Sequence, residues 1–163
     1  MSGTGSRILL WLLVINLGIA FGAGLYESRI VTSEWLSSSE SVLRWNAEAA
    51  RRNNTGMRFW IFVTTVPLTI VTLANAVTAW RAEGLVRSWW LTATALALLE
   101  RTFTFSYFIP VMAGLMQMPD SPTSVSVAAT WMTLNHGRHA LLLTAWLAAL
   151  QAFSMACSAP HDR

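Results

Sequence analysis

The chain has 163 residues, 54% of them hydrophobic and only 12% charged, with a mean hydropathy of +0.46. Soluble domains carry roughly 25% charged residues, so this composition excludes an ordinary water-soluble globule and points to an integral membrane protein. The net charge of +3 comes from scattered arginines, adjacent only at Arg51-Arg52, which excludes the basic stripe that nucleic-acid binding needs.

A helix of about 20 apolar residues spans the hydrocarbon core. The first such run is Ile8 to Tyr26, uncharged throughout. It is longer than the roughly 7–15 residues of a signal-peptide core, so a retained helix is expected. A polar stretch from about Glu27 to Met57 follows, within which Ser41 to Arg52 reads as a short helix on the membrane surface, its Val42, Leu43 and Trp45 facing lipid. The second span is Phe59 to Trp80, framed by Arg58 and Arg81, with Pro67 inside it. The third runs over 88–118 and is interrupted by Glu100-Arg101, and the fourth runs over 125–155 and is interrupted by Asn135-His136-Gly137-Arg138-His139. The expected fold is all-α, a single domain over 1–163 built as a four-helix transmembrane bundle with a polar loop between helices one and two. A multi-pass protein of a bacterial inner membrane, with the lipid bilayer as its surroundings and a possible homo-oligomeric state, is the corresponding expectation. Cys157 stands alone, so no intrachain disulfide is possible.

The interruptions carry the chemistry. Helices three and four form a hairpin turning near Asp120, and equal rise along both brings Glu100 level with Arg138 and His139. Thr64, Thr65 and Thr69 on helix two, and Asn16 on helix one, fall near the same depth. Asn135, Arg138 and His139 share one helical face by their i, i+3, i+4 spacing, which Trp131 extends; Glu100, Thr104 and Tyr107 share a face of helix three. A charge at a membrane helix centre costs about 2.5–3.5 kcal/mol on insertion scales, so Glu100 is expected to pair with Arg138 or Arg101. The surplus arginine would leave a net-positive pocket suited to an anion or oxyanion. Two plainer readings stand beside this one. Residues 121–139 lie along the interface with Arg138 and His139 as anchors, or the polar cluster only glues helices together. His136 and His139 are not at the spacing that suits two ligands on one face, and no metal site is expected. Either one alone is a candidate axial ligand for haem b, in a membrane isomerase or oxidase. His161 reads as inert.

With these residues placed, the chain resembles the anthrone-oxygenase-like family of small four-helix membrane proteins. The resemblance rests on W-x3-N-x2-R at Trp131, Asn135 and Arg138, on GLYESRIVTSEW after the first helix, on NNTGMRFW before the second, and on the four-helix layout. It implies a membrane-embedded oxidoreductase that oxygenates a small hydrophobic aromatic substrate, an anthrone of polyketide origin, without a cofactor. His139 or His136 would then be the general base, Arg138 and Asn135 would bind the enolate oxygen, and Glu100 would hold Arg138 or tune the histidine. Trp131 and Tyr107 would stack on the substrate, with Arg101, Thr104 and Asn16 completing the pocket. The competing expectations are the haem enzyme, and a non-enzymatic small transporter or structural membrane protein.

Overall fold

A computed structural model of the protein describes residues 3–39, 42–53 and 55–158. The fold is all-α, with one small hairpin added. Helix α1, Thr4–Tyr26, does not stop at the tyrosine: a π-helical turn, Glu27–Val31, and a 3₁₀ turn, Thr32–Glu34, carry it on. Strands β1, Leu36–Ser39, and β2, Val42–Trp45, pair antiparallel, and helix α2, Ala47–Asn53, follows. A π-helical segment, Gly56–Thr65, leads into α3, Val66–Trp80. Helix α4, Gly84–Phe103, passes through a π-helical turn, Thr104–Phe108, into α5, Ile109–Leu115. Helix α6, Pro122–Ser158, is unbroken.

The long helices run in the expected order with shifted ends, at 4–34, 56–80, 84–115 and 122–158. Three of them, Thr4–Glu34, Gly56–Trp80 and Pro122–Ser158, are long and apolar enough to cross a membrane. The Gly84–Leu115 rod has the length, but Glu100 and Arg101 sit buried at its middle. Helix α6 is continuous, so residues 122–139 extend the same rod as those after them and bury Asn135, Arg138 and His139 in the bundle.

Both π-helical segments before prolines have a physical cause. A proline ring lacks an N–H and collides with the carbonyl four residues back in an α-helix. A wider turn relieves that collision, and Pro67 and Pro110 each enter the first turn of the α-helix that follows one. Between α3 and α4 the chain reverses at Gly84, whose φ of +62° is cheap only for glycine.

The polar loop is not the expected surface helix. Val42 to Trp45 form β2, and helix begins only at Ala47. Val42 and Leu43 are exposed, but Trp45 is buried rather than lipid-facing: its indole donates to the Leu115 carbonyl at 3.0 Å and its backbone N–H to Asp120 Oδ1 at 2.9 Å. These bonds pin the hairpin onto the turn between α5 and α6. Ser41 and His161 lie outside the described residues.

Around the axis, α1 packs on α6 and α3, α3 on α4, and α4 on α6. The interior divides into two apolar cores. One holds Leu13, Leu17, Leu68, Ala97 and Leu142; the other holds Trp35, Trp45, Phe108, Leu115 and Trp131. Along α4–α5 the buried residues between them are Glu100, Arg101 and Thr104, and along α6 they are Asn135, Arg138 and His139. A polar belt therefore separates the two cores.

Candidate functional site

At the centre of the belt is Glu100, completely buried. Arg101 donates from Nε to Glu100 Oε2 at 2.6 Å, with Nη2 at 2.5 Å from the same oxygen, and the Thr104 hydroxyl donates to Oε1 at 2.8 Å. Arg138 Nε lies 3.9 Å from Oε1. That separation is an ion pair and too long for a hydrogen bond, so the buried Arg138 N–H has no acceptor among the described residues. The carboxylate thus takes both arginines, but unequally. Arg138 makes up the difference with aromatic faces, its guanidinium carbon 4.9 Å from the Phe108 ring centroid and 5.6 Å from that of Trp60. Desolvated cation–π contacts of this kind are worth about 2 kcal/mol.

A second buried carboxylate, Glu27, completes the belt. It accepts from the Thr55 hydroxyl at 2.5 Å and from the Trp60 indole at 2.8 Å, and its charge acts on Arg138 as well. The surplus positive charge expected from sequence is therefore balanced: Glu27 and Glu100 face Arg101 and Arg138. Residues lining up at 3–4 spacing, Leu10, Leu13, Leu17, Ala20, Gly24 and Glu27, form the buried stripe of the first rod. Glu27 belongs to that stripe. Reading the helix as ending at Tyr26 placed it in a loop and missed it.

Glu27 and Arg138 share the wall of a cavity of about 220 Å³. Trp35, Trp60, Phe108 and Trp131 provide its aromatic surface, with Ile61, Met112 and Met116 filling in. The rings are braced edge to face: Phe108 and Trp131 centroids are 5.6 Å apart, and the Trp131 indole donates to the Phe108 carbonyl at 3.1 Å. Trp35 lies 6.1 Å from Trp131, and its own buried indole N–H has no acceptor among the described residues. A larger, more open depression of about 440 Å³ lies between the hairpin and the 117–120 turn. Its charged groups are exposed and already engaged, Arg44 with Asp120 at 4.0 Å and Arg51 with the Met116 carbonyl at 2.6 Å. The smaller cavity is the one lined by residues that carry buried N–H groups without acceptors among the described residues, Trp35 and Arg138.

The remaining sequence-predicted residues fall in several places. Trp131 lines the cavity, and Asn135 is buried with an Oδ1 lacking a donor among the described residues. Thr104 and Arg101 act behind Glu100 rather than at the cavity wall. Tyr107 is half-buried with its ring edge-on to Phe108, and Phe108 takes the wall position expected of it. Asn16 bonds back to the Leu12 carbonyl of its own helix at 3.0 Å. His136 is exposed. His139 is buried, but it faces α1: Nδ1 lies 3.4 Å from Ser28 Oγ, and Nε2 lies so close to Gly24 that a Cβ there would be only 2.5 Å away.

His139 has little room for iron, because both of its nitrogens abut the α1 rod; His136 is exposed and lines neither of these two cavities. Among the described residues no three His, Cys, Asp or Glu side chains cluster to hold a metal ion.

Comparison with protein-family models, with curated proteins and with solved structures finds no match to this chain. Three stretches singled out in the sequence meet in space. Glu27 and Trp35 come from GLYESRIVTSEW, Thr55, Gly56, Met57 and Trp60 from NNTGMRFW, and Trp131 and Arg138 from W-x3-N-x2-R, and all of them line the same cavity.

Proposed function

We propose that the chain is a multi-pass membrane protein whose four helical rods form a bundle across the bilayer, and that its cavity oxygenates a flat hydrophobic aromatic of the anthrone type with O₂ and no cofactor. One observation carries this reading: an aromatic-walled cavity is lined by Arg138 and Trp35, each of which has a buried N–H without an acceptor among the described residues, together with Glu27. Unsatisfied buried donors are costly, and a substrate oxygen would satisfy them.

The chemistry follows from these groups. Arg138 and Trp35 donate to the carbonyl oxygen of the substrate, and Glu27 accepts the acidic ring C–H proton, a role that His139 cannot take while it faces α1. The electron-rich enolate reduces O₂, and a new C–O bond forms as a hydroperoxide. Loss of water from that hydroperoxide leaves the quinone, so one O₂ gives one carbonyl oxygen and one water. The aromatic rings orient the flat substrate and keep water away from the enolate, where the fixed donors count most. A transporter reading fits less well, because the Leu13–Leu17–Leu68–Leu142 core closes the half of the bundle beyond the polar belt.

The test is O₂ uptake by protein reconstituted in vesicles and supplied with anthrone, corrected for protein-free vesicles. Removing one oxyanion donor costs about 10²–10³ in rate, so Arg138→Met is expected to lose on that order, and Glu27→Gln to fall to background. Wild-type uptake no faster than in protein-free vesicles would overturn the assigned reaction.

A further inference from the structure

The second and third rods pack closely only over part of their length. Helices α3 and α4 lie against one another, but beyond them the rods part. The Gly56–Thr65 segment packs on α3 and α1, while α5 packs on the turn before it and on α6, and neither packs substantially on the other. The cavity lies in that gap, with Thr55 to Ile61 on one side and Phe108 to Met116 on the other. Met57 and Ile109 line it and are also 57% and 46% exposed on the outer surface, so the cavity communicates with the outside between them. Ala113, a further lining residue, is exposed too, and Phe62, next to Ile61, and Phe105, in the turn before α5, carry exposed rings. Arg58, next to Met57 in the chain, is exposed and long enough to reach a headgroup layer.

We infer that this gap is a lateral portal through which the cavity takes its ligand directly from the bilayer hydrocarbon, and that the ligand is an uncharged ring compound with a hydrogen-bond-accepting oxygen. The inference rests on the membrane reading above but not on the reaction. An apolar rim matches acyl chains and would be a poor entrance for a solute arriving from water. The buried charges are already balanced, two carboxylates against two guanidiniums, so a ligand entering as an anion would add an uncompensated charge at low dielectric. A neutral oxygen acceptor adds none, and Arg138 and Trp35 on the wall are the residues that could donate to it. The volume of about 220 Å³, below the roughly 300–1,000 Å³ that holds drug-sized molecules, selects a small ring system over a phospholipid.

Spin-label accessibility tests the portal without any substrate. In a Cys157→Ala background reconstituted in phosphatidylcholine vesicles, nitroxides are placed at Met112→Cys and, on the opposite wall, Ile61→Cys. Ile70→Cys on the outer face of α3 and Glu48→Cys on α2 serve as references. Collisions with O₂, which concentrates in lipid, are compared with collisions with a water-soluble nickel chelate. The portal predicts that Met112 and Ile61 follow Ile70, with O₂ dominant. If they follow Glu48, with nickel dominant, the cavity opens to water and the inference is overturned; if neither probe reaches them, there is no portal. If Ile70 itself follows the nickel pattern, the membrane reading falls, and the portal with it.

Discussion

Glu100 should be far less replaceable than Arg138. At 3.9 Å and an effective dielectric of about 20, their attraction is about 4 kcal/mol, but desolvating the guanidinium costs several kcal/mol in return. Arg138→Met removes both terms and the ring contacts, but leaves Glu100 with Arg101 and Thr104 and Glu27 with its Thr55 and Trp60 donors, and keeps a long apolar side chain against Phe108 and Trp60, so it should cost about 2 kcal/mol, less than the loss of Glu100. Glu100→Gln keeps the volume but strands the buried Arg101, which has no other carboxylate bonded to it among the described residues. Breaking a buried pair in this direction costs about 3–5 kcal/mol. Unfolding of each variant from mild detergent by increasing sodium dodecyl sulfate, followed by circular dichroism, gives both numbers. If Arg138→Met destabilises as much as Glu100→Gln, Glu100 is not the organising charge of the belt and the reasoning fails.

Other expectations follow from single contacts. Gly24→Ala drives a methyl into the His139 ring and should cost about 1–3 kcal/mol; His139→Ala in the same chain should recover most of that, a non-additivity that a double-mutant cycle measures directly. Asn75 bridges three elements, donating to the Leu9 and Val71 carbonyls and accepting from the Trp90 indole at 2.9 Å. Asn75→Leu leaves that indole unpaired and should cost about 1–3 kcal/mol in the same unfolding assay, with Trp90→Phe restoring part of it. Trp131→Ala removes a ring that packs on both Trp35 and Phe108 and should cost about 3–5 kcal/mol.

Much of this architecture was readable as apolar runs broken by charge. The long uncharged stretches gave the rods, and counting equal rise from the turn near Asp120 gave the level at which Glu100 meets Arg138. The misses have specific physical origins. Tyr107 was expected on the Glu100–Thr104 face, but the π-helical turn over Thr104–Phe108 inserts an extra residue into that register, so Phe108 arrives at the wall instead. Pro110 was the available signal, since a proline within a span implies a local change of turn. Glu27 looked like the first residue of a loop because Glu-Ser-Arg is polar, yet the 3–4 stripe from Leu10 to Gly24 already pointed to it. The hairpin was hidden because strands of four residues in a serine-rich stretch have too little periodicity to compete with a helical reading. His139 shared the correct face with Arg138, but no spacing argument shows that Gly24 would draw its ring toward α1.

The central claim is that Arg138 presents a donor to a ligand oxygen inside the aromatic cavity. Equilibrium binding of anthrone to the reconstituted protein under nitrogen, where no oxidation can follow, tests it most directly, with Arg138→Met and Trp35→Phe measured beside wild type. A hydrogen bond from a charged donor is worth about 1.5–3 kcal/mol, so Arg138→Met should weaken binding roughly 10- to 100-fold at about 1.4 kcal/mol per decade, and Trp35→Phe by less. Equal affinity in wild type and Arg138→Met would contradict the account.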